Sequence, residues 1–184
     1  MRRLPTTVVA LLQALAVVLV ALGAGGVAGV VWEHLWTPPV GQVQQGRWGL
    51  VSEAGLRADF AGVGLYVVVA VVAGLVTGVL SGLVLDRAEL VTLAVLTLSA
   101  VAAGWVMWKV GVHRGPPDPR PLAAGLADGT KLPGDLRLHD RVPFVSFPLG
   151  AVLGYGLVLI AVPKRVGATS ASVPQQAFSP ADGG

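Results

Sequence analysis

Residues 60–85 read FAGVGLYVVVAVVAGLVTGVLSGLVL, a run from Phe60 to Leu85 without one charged side chain. At about 1.5 Å per residue, a helix of that length exceeds the roughly 30 Å hydrocarbon core of a bilayer. Along one side of it stand Gly74, Gly78 and Gly82, each four residues from the next, with Ala70 continuing the row. Residues four apart share a helix face, so the row is a groove bare of side chains. Helices in lipid associate through close packing more than through hydrophobicity, because the tails are as apolar as Leu. The run therefore predicts a membrane span that acts as the hub of a helix bundle.

The composition agrees with that reading. Of 184 residues, 54% are hydrophobic and only 12% charged, where ordinary globular chains carry about a quarter charged. Mean hydropathy is +0.73, and 25 glycines exceed the usual share of about 7%. The formal charge of +3 comes from few residues, with no Lys/Arg run interleaved with aromatics, so no nucleic-acid partner is expected. There is no cysteine, which removes disulfides, thiolate catalysis and Cys-ligated metals together.

Outward from the hub, three further spans are expected. Residues 8–32 form the first, after a basic lead holding Arg2 and Arg3. A basic start and small residues such as Ala21 and Gly23 also fit a signal peptide loosely. The run exceeds the usual signal core of about 7–15 residues, which favours an anchor. Residues 90–110 form the third span, closed by Trp105, Trp108 and Lys109 at the depth where Trp and a snorkelling Lys end a helix. The link Asp86-Arg87-Ala88-Glu89 is so short that spans two and three are predicted to be antiparallel neighbours. Residues 143–162 form the fourth span, with Gly150 and Gly154 as its own small-residue face.

Two long loops, 33–59 and 111–142, lie on one side of this arrangement. Pro38-Pro39 stops the first helix. Arg47 to Val51 and Leu56 to Asp59 flank Ser52-Glu53-Ala54-Gly55, which leaves room for a small hairpin turning at Gly55. In the second loop Pro121 suits the first position of a short helix through Ala127, closed by Asp128-Gly129. Leu136 and Leu138 alternate with Arg137 and His139 as a short strand that would join the hairpin. The expected fold is an all-α membrane protein, a four-transmembrane-helix bundle with a small extracytoplasmic cap. The membrane domain covers 1–166, and 167–184 is a small, polar, proline-punctuated tail expected to be disordered.

Four spans put both termini on one side of the plasma membrane. With that side cytoplasmic, Arg2, Arg3, Arg87, Lys164 and Arg165 face inward, five against seven in the outer loops when Lys109 is left out. The raw count opposes this orientation. The inner charges hug the helix ends, the first helix usually dominates, and the outer loops form one cap, so termini inside is the orientation adopted.

Trp32 and Trp36, Pro38-Pro39, Phe60, the Gly-spaced second span, Trp108-Lys109-Val110-Gly111, the Gly115-Pro116 step and Leu136-Arg137-Leu138 are shared landmarks of a known group. Over Trp32 to Val162 the chain resembles a domain-of-unknown-function family of small four-span membrane proteins from high-GC Gram-positive bacteria. Relatives similarly carry a basic residue after the Trp of span three and an acidic residue after the Gly-Pro step. Here Pro117 intervenes before Asp118. The resemblance implies the architecture and attaches no activity to it.

Candidate chemistry is sparse. His34, His113 and His139, with Glu33, Asp118 and Asp135, contain imidazole and carboxylate ligands suited to zinc. None has the spacing of a zinc motif, and scattered loop histidines are more often plain interfacial residues. Glu33 and Lys109 both end spans that run outward, so an interfacial ion pair between them competes with each snorkelling alone. No span holds an ionisable group in its middle two thirds, which argues against a coupled transporter. The reading is a non-enzymatic accessory or scaffold subunit of a cell-envelope complex, with no cofactor. Its partners are the lipid bilayer and either a second copy or an unidentified membrane protein. A membrane enzyme with its site in the outer loops and an oligomeric passive pore are the alternatives.

Overall fold

The computed structural model describes residues 5–84, 89–138 and 140–162. The Arg2-Arg3 lead, the link at 85–88, His139, Lys164-Arg165 and the tail lie outside the described residues. Among the described residues four helices are long and apolar enough to cross a membrane: α1 (Thr6–Leu35), α2 (Glu53–Val84), α3 (Glu89–Arg114) and α5 (Ser146–Ala161). Alone, the 16 residues of α5 would span only about 24 Å. A 3₁₀ turn, Val142–Val145, runs directly into it and makes up the length.

The bundle is built as two close pairs, α2 with α5 and α1 with α3. Between α2 and α5 the glycines of both helices interlock. A Cβ on Gly74 would strike the Phe147 carbonyl, and one on Gly78 would strike the Ala151 carbonyl and lie 2.8 Å from the Tyr155 amide. In return, Cβ atoms on Gly150 and Gly154 would strike the carbonyls of Val71 and Leu75. The two backbones are thus in direct contact, the geometry in which Cα–H groups face carbonyl oxygens across a helix interface. The second pair repeats the device. Gly25 of α1 abuts the Ala103 carbonyl of α3, Gly29 abuts that of Met107, and Gly111 of α3 holds the Trp32 ring.

This pairing corrects the expectation that spans two and three are neighbours. α2 and α3 touch only slightly and occupy opposite corners, because α5 and α1 present the small-residue faces that let each approach its partner. The corners run α1, α3, α5, α2 and back to α1.

The cap is a three-stranded antiparallel sheet in the order β2-β1-β3, from β1 (Val40–Gln44), β2 (Arg47–Gly49) and β3 (Lys131–Pro133). The hairpin therefore lies earlier than expected. It turns at Gln45-Gly46, whose φ angles of 50° and 69° are those of the type I′ turn that matches strand twist. Ser52-Glu53-Ala54-Gly55 does something else. The Ser52 hydroxyl accepts the Gly55 amide at 3.1 Å, so Ser52 caps α2 and Leu56 to Asp59 are helical. β3 likewise lies upstream of the expected strand at Leu136. The short helix α4 (Pro119–Ala123) starts two residues earlier than expected, because Asp118 caps it and Pro119 takes its first turn.

Both loops make the cap together. The Val43 amide donates to the Thr130 carbonyl at 2.9 Å, and the Gly129 amide to the Val43 carbonyl at 2.8 Å. Asp128 accepts the Gln45 amide at 2.8 Å, and Trp48 Nε1 donates to the Leu132 carbonyl at 3.1 Å.

Candidate functional site

Where the bundle meets the cap, the apolar interior gives way to a belt of aromatic rings. The order of the helices explains it: α1 and α3 end there, while α2 and the 3₁₀ turn begin there. Trp32 of α1 meets Tyr66 of α2 edge-on at 5.0 Å between centroids. Tyr66 meets Phe144 of the 3₁₀ turn at 5.9 Å, and Phe144 meets Trp108 of α3 at 5.8 Å. The first and last of these contacts are edge-to-face and the middle one is tilted by 57°; an edge-to-face pair adds about 0.5–1.5 kcal/mol beyond the area it buries. One row of rings thereby joins all four long segments.

Two of these rings carry polar atoms, and both are satisfied across helices. Trp32, fully buried, donates through Nε1 to the Gly62 carbonyl of α2 at 2.9 Å. The Tyr66 hydroxyl donates to the Gly104 carbonyl of α3 at 2.8 Å, bridging the two corners that otherwise barely meet. An added Cβ would lie 2.9 Å from Trp36 Nε1 at Gly62 and 3.5 Å from the Tyr66 hydroxyl at Gly104.

Beside the row lies an open groove of about 610 Å³ between α3 and the 3₁₀ turn that leads into α5. Val101, Trp105, Trp108 and Phe144 form its apolar walls, and Asp140 and Arg141 stand at its mouth with Leu138. Lys109 flanks it, its ammonium 4.9 Å from the Trp108 ring and 5.5 Å from that of Trp105. A cation over a ring face is held by the quadrupole of the ring.

The expected pair of Glu33 and Lys109 is divided between different partners. Glu33 faces Arg114, one turn and more beyond Lys109, at 3.5 Å, while Lys109 keeps to its two Trp rings. Lys109 and Arg114 are five residues apart on one helix, so they point in different directions, and only Arg114 is turned toward α1.

The cap's charges gather on Arg137. Its Nε donates to Asp135 at 2.7 Å and its Nη2 to Asp118 at 3.2 Å, with a second, closer Nη2 contact to Asp135. Asp118 also accepts the Arg120 amide at 3.0 Å. That backbone donor first, and then the positive charge of Arg137 and Arg120, hold the Asp118 carboxyl below the usual carboxylate range. The network locks α4 to the segment after β3. It occupies Asp118 and Asp135, two of the three carboxylates that the sequence offered as metal ligands, and the third, Glu33, faces Arg114. Among the described residues no three His, Asp or Glu side chains converge. His34 and His113 are both exposed, and His139 lies outside the described residues.

The helix-packing glycines Gly74, Gly78, Gly82, Gly150 and Gly154 all lie in the α2–α5 contact, Gly82 against the Val158 side chain at 2.9 Å for an added Cβ. The sequence reading passed over Tyr66, Phe144 and the α1 stripe Ala21-Gly25-Gly29. The stripe carried the same four-residue spacing that marked α2. Gly23 and Gly26 beside it blurred the row.

No protein-family model, no curated protein and no solved structure matches the chain.

Proposed function

We propose that the chain is an integral protein of the plasma membrane, a non-enzymatic accessory or scaffold subunit of a cell-envelope complex. In this reading both termini are cytoplasmic and the cap is outside. The observation that supports it best is how the polar groups of the bundle are used. Thr77 bonds the Ala73 carbonyl at 2.7 Å, Ser81 the Thr77 carbonyl at 2.8 Å and Ser99 the Val95 carbonyl at 2.6 Å, each within its own helix. Such bonds satisfy a hydroxyl in lipid without presenting it to a pathway. A pore or an ion-coupled transporter would need polar groups aimed inward at depth. The cap's Asp118 and Asp135 are spent on holding Arg137, which leaves a structural role for them. The resemblance to small four-span proteins of high-GC Gram-positive bacteria suits the same architecture.

The test is purification of the tagged full chain in two mild detergents. A stoichiometric membrane-protein partner, or a stable homo-oligomer, is the expected result. A partner-free monomer in both detergents overturns the subunit reading. For orientation, Ala124→Cys in the exposed part of the cap and Ala177→Cys in the tail supply the only thiols. A membrane-impermeant maleimide on intact cells should label position 124 and miss 177; the reverse pattern puts the cap in the cytoplasm.

A further inference from the structure

The groove beside Trp105 and Trp108 has an axis as well as a volume. Val101 and Trp108 are seven residues apart on α3, about 10 Å along the helix. Over that distance the lining changes from Val101, through the rings of Trp105, Phe144 and Trp108, to the charges of Asp140 and Arg141. The change runs along the helix, from the bundle toward the cap. A docked helix from another membrane protein would want an apolar surface for the whole length, and a soluble ligand has no need of a gradient parallel to α3. An amphiphile standing upright in the bilayer matches it end to end.

The head is specified by the two charges at the mouth. Neither the Asp140 nor the Arg141 side chain has a partner among the described residues, although every other carboxylate and guanidinium nearby in the cap network is paired. They are consecutive residues, with Cα atoms about 3.8 Å apart. Lys109 does not line the groove, and its ammonium is held on the ring faces. The groove thus offers one anion and one cation on consecutive exposed residues at its mouth. We propose that this groove is a binding site for a membrane phospholipid with a primary-amine head group. Its phosphate lies on Arg141, its ammonium on Asp140, and one acyl chain against Phe144, Trp105 and Val101. Arg recognises phosphate through paired N–H donors, and the aromatic walls supply the contact area.

The experiment uses the full chain in detergent and measures lipid binding by native mass spectrometry. Phosphatidylethanolamine, phosphatidylcholine, phosphatidylglycerol and diacylglycerol with identical chains are titrated in turn, together with glycerophosphoethanolamine as the head alone. Phosphatidylethanolamine should bind tightest, and diacylglycerol and the chainless head should bind at least about tenfold more weakly. Arg141→Gln should weaken all three phospholipids about tenfold, and Arg141→Lys should restore most of that loss. Asp140→Asn should abolish only the preference for ethanolamine over choline. Both side chains are exposed, so lipid-free melting temperatures should match the parent, and Arg141→Lys controls for any variant that does not. Equal binding of diacylglycerol and phosphatidylethanolamine overturns the proposal. So does an unchanged affinity in Arg141→Gln, or saturation by the chainless head at the same concentration as the lipid.

Discussion

Replacing Gly78 by alanine adds one methyl group, and the structure says where that methyl must go. Its carbon would overlap the Ala151 carbonyl oxygen and lie 2.8 Å from the Tyr155 amide nitrogen. Both are backbone atoms of α5, so no rotamer change relieves the contact; the helices have to separate by something on the order of 1 Å. A gap of about 0.5–1 Å forfeits a quarter to a half of each van der Waals contact across the interface. In a bilayer no hydrophobic gain returns it. Overpacking of this kind costs about 1–3 kcal/mol, or a fall in melting temperature on the order of 5 °C for a chain of this size. Gly82→Ala should cost less, because its new methyl would meet the Val158 side chain at 2.9 Å, and a side chain can shift.

The control is Gly156→Ala on α5, where nothing lies within 4 Å of the added carbon. Alanine there should be neutral or slightly stabilising, since glycine is about 1 kcal/mol the poorer helix former. Thermal unfolding of the three variants in one detergent, followed by loss of the monodisperse peak, ranks them. The expected order of stability is Gly156→Ala, then Gly82→Ala, then Gly78→Ala. If Gly78→Ala melts with the parent, α2 and α5 are not in backbone contact and the account of the bundle fails.

Tyr66→Phe should lower stability by about 0.5–1.5 kcal/mol in the same assay, because it removes the bond from the hydroxyl to the Gly104 carbonyl and leaves the ring contacts; an unchanged melt would show the bridge to be idle. A double-mutant cycle with Glu33→Gln and Arg114→Gln should give a coupling of at most about 1 kcal/mol that fades with salt, since the pair is solvent-exposed. The same cycle with Lys109→Met in place of Arg114→Gln should be additive, and coupling there would restore the pairing suggested by the helix ends. For Asp118 the folded carboxyl titrates below its unfolded value. Its contribution is therefore complete above the unfolded value, near pH 4, and disappears as pH falls through the folded one. Hydrogen-exchange protection at α4, taken relative to the intrinsic rate at each pH, should fall below about pH 4 in the parent, whereas Asp118→Asn should be less protected at neutral pH and show less acid dependence.

The four long helices were legible because each is an uninterrupted apolar run with proline or charge at its ends, and a bilayer leaves such runs only one conformation. The Gly74-Gly78-Gly82 row was legible for a similar reason, since its spacing alone puts it on one face. Its partner was not legible. Connection length suggested α3, but the choice of α5 depends on Gly150 and Gly154 being in register with it, a matter of shape that no single helix carries. The cap was misread where one residue serves two grammars. Ser52 with Gly55 reads as a turn, yet Ser is equally a helix cap, and the apolar run that follows decides for the cap. Gln45-Gly46 carries a weaker hairpin signature than Asn-Gly, so it was passed over. The aromatic row was hidden because Trp32, Tyr66, Trp108 and Phe144 come from four segments, and nothing local to any of them announces the other three.

These features share one cause. The close pairs, α1 with α3 and α2 with α5, are interleaved in sequence, so every connection between long helices must cross from one pair to the other. The crossings from α1 to α2 and from α3 to α5 fall on the same side. There β1 from the first pairs with β3 from the second, and the row from Trp32 to Trp108 passes beneath them. The two pairs are therefore fastened to each other at the cap, by strand hydrogen bonds and by ring contacts. Deeper in the bundle, the boundary between α1 and α2 opens into an apolar cleft of about 440 Å³ lined by Val20, Val27, Val68, Val72 and Leu80. Close packing within each pair needs only glycine in the right register, whereas holding one pair to the other needs residues brought from distant parts of the chain. That division accounts for close pairs seamed by glycine and alanine, with Leu96, Met107, Phe147 and Tyr155 as the large buried side chains between them, beneath an end that concentrates the tryptophans and prolines.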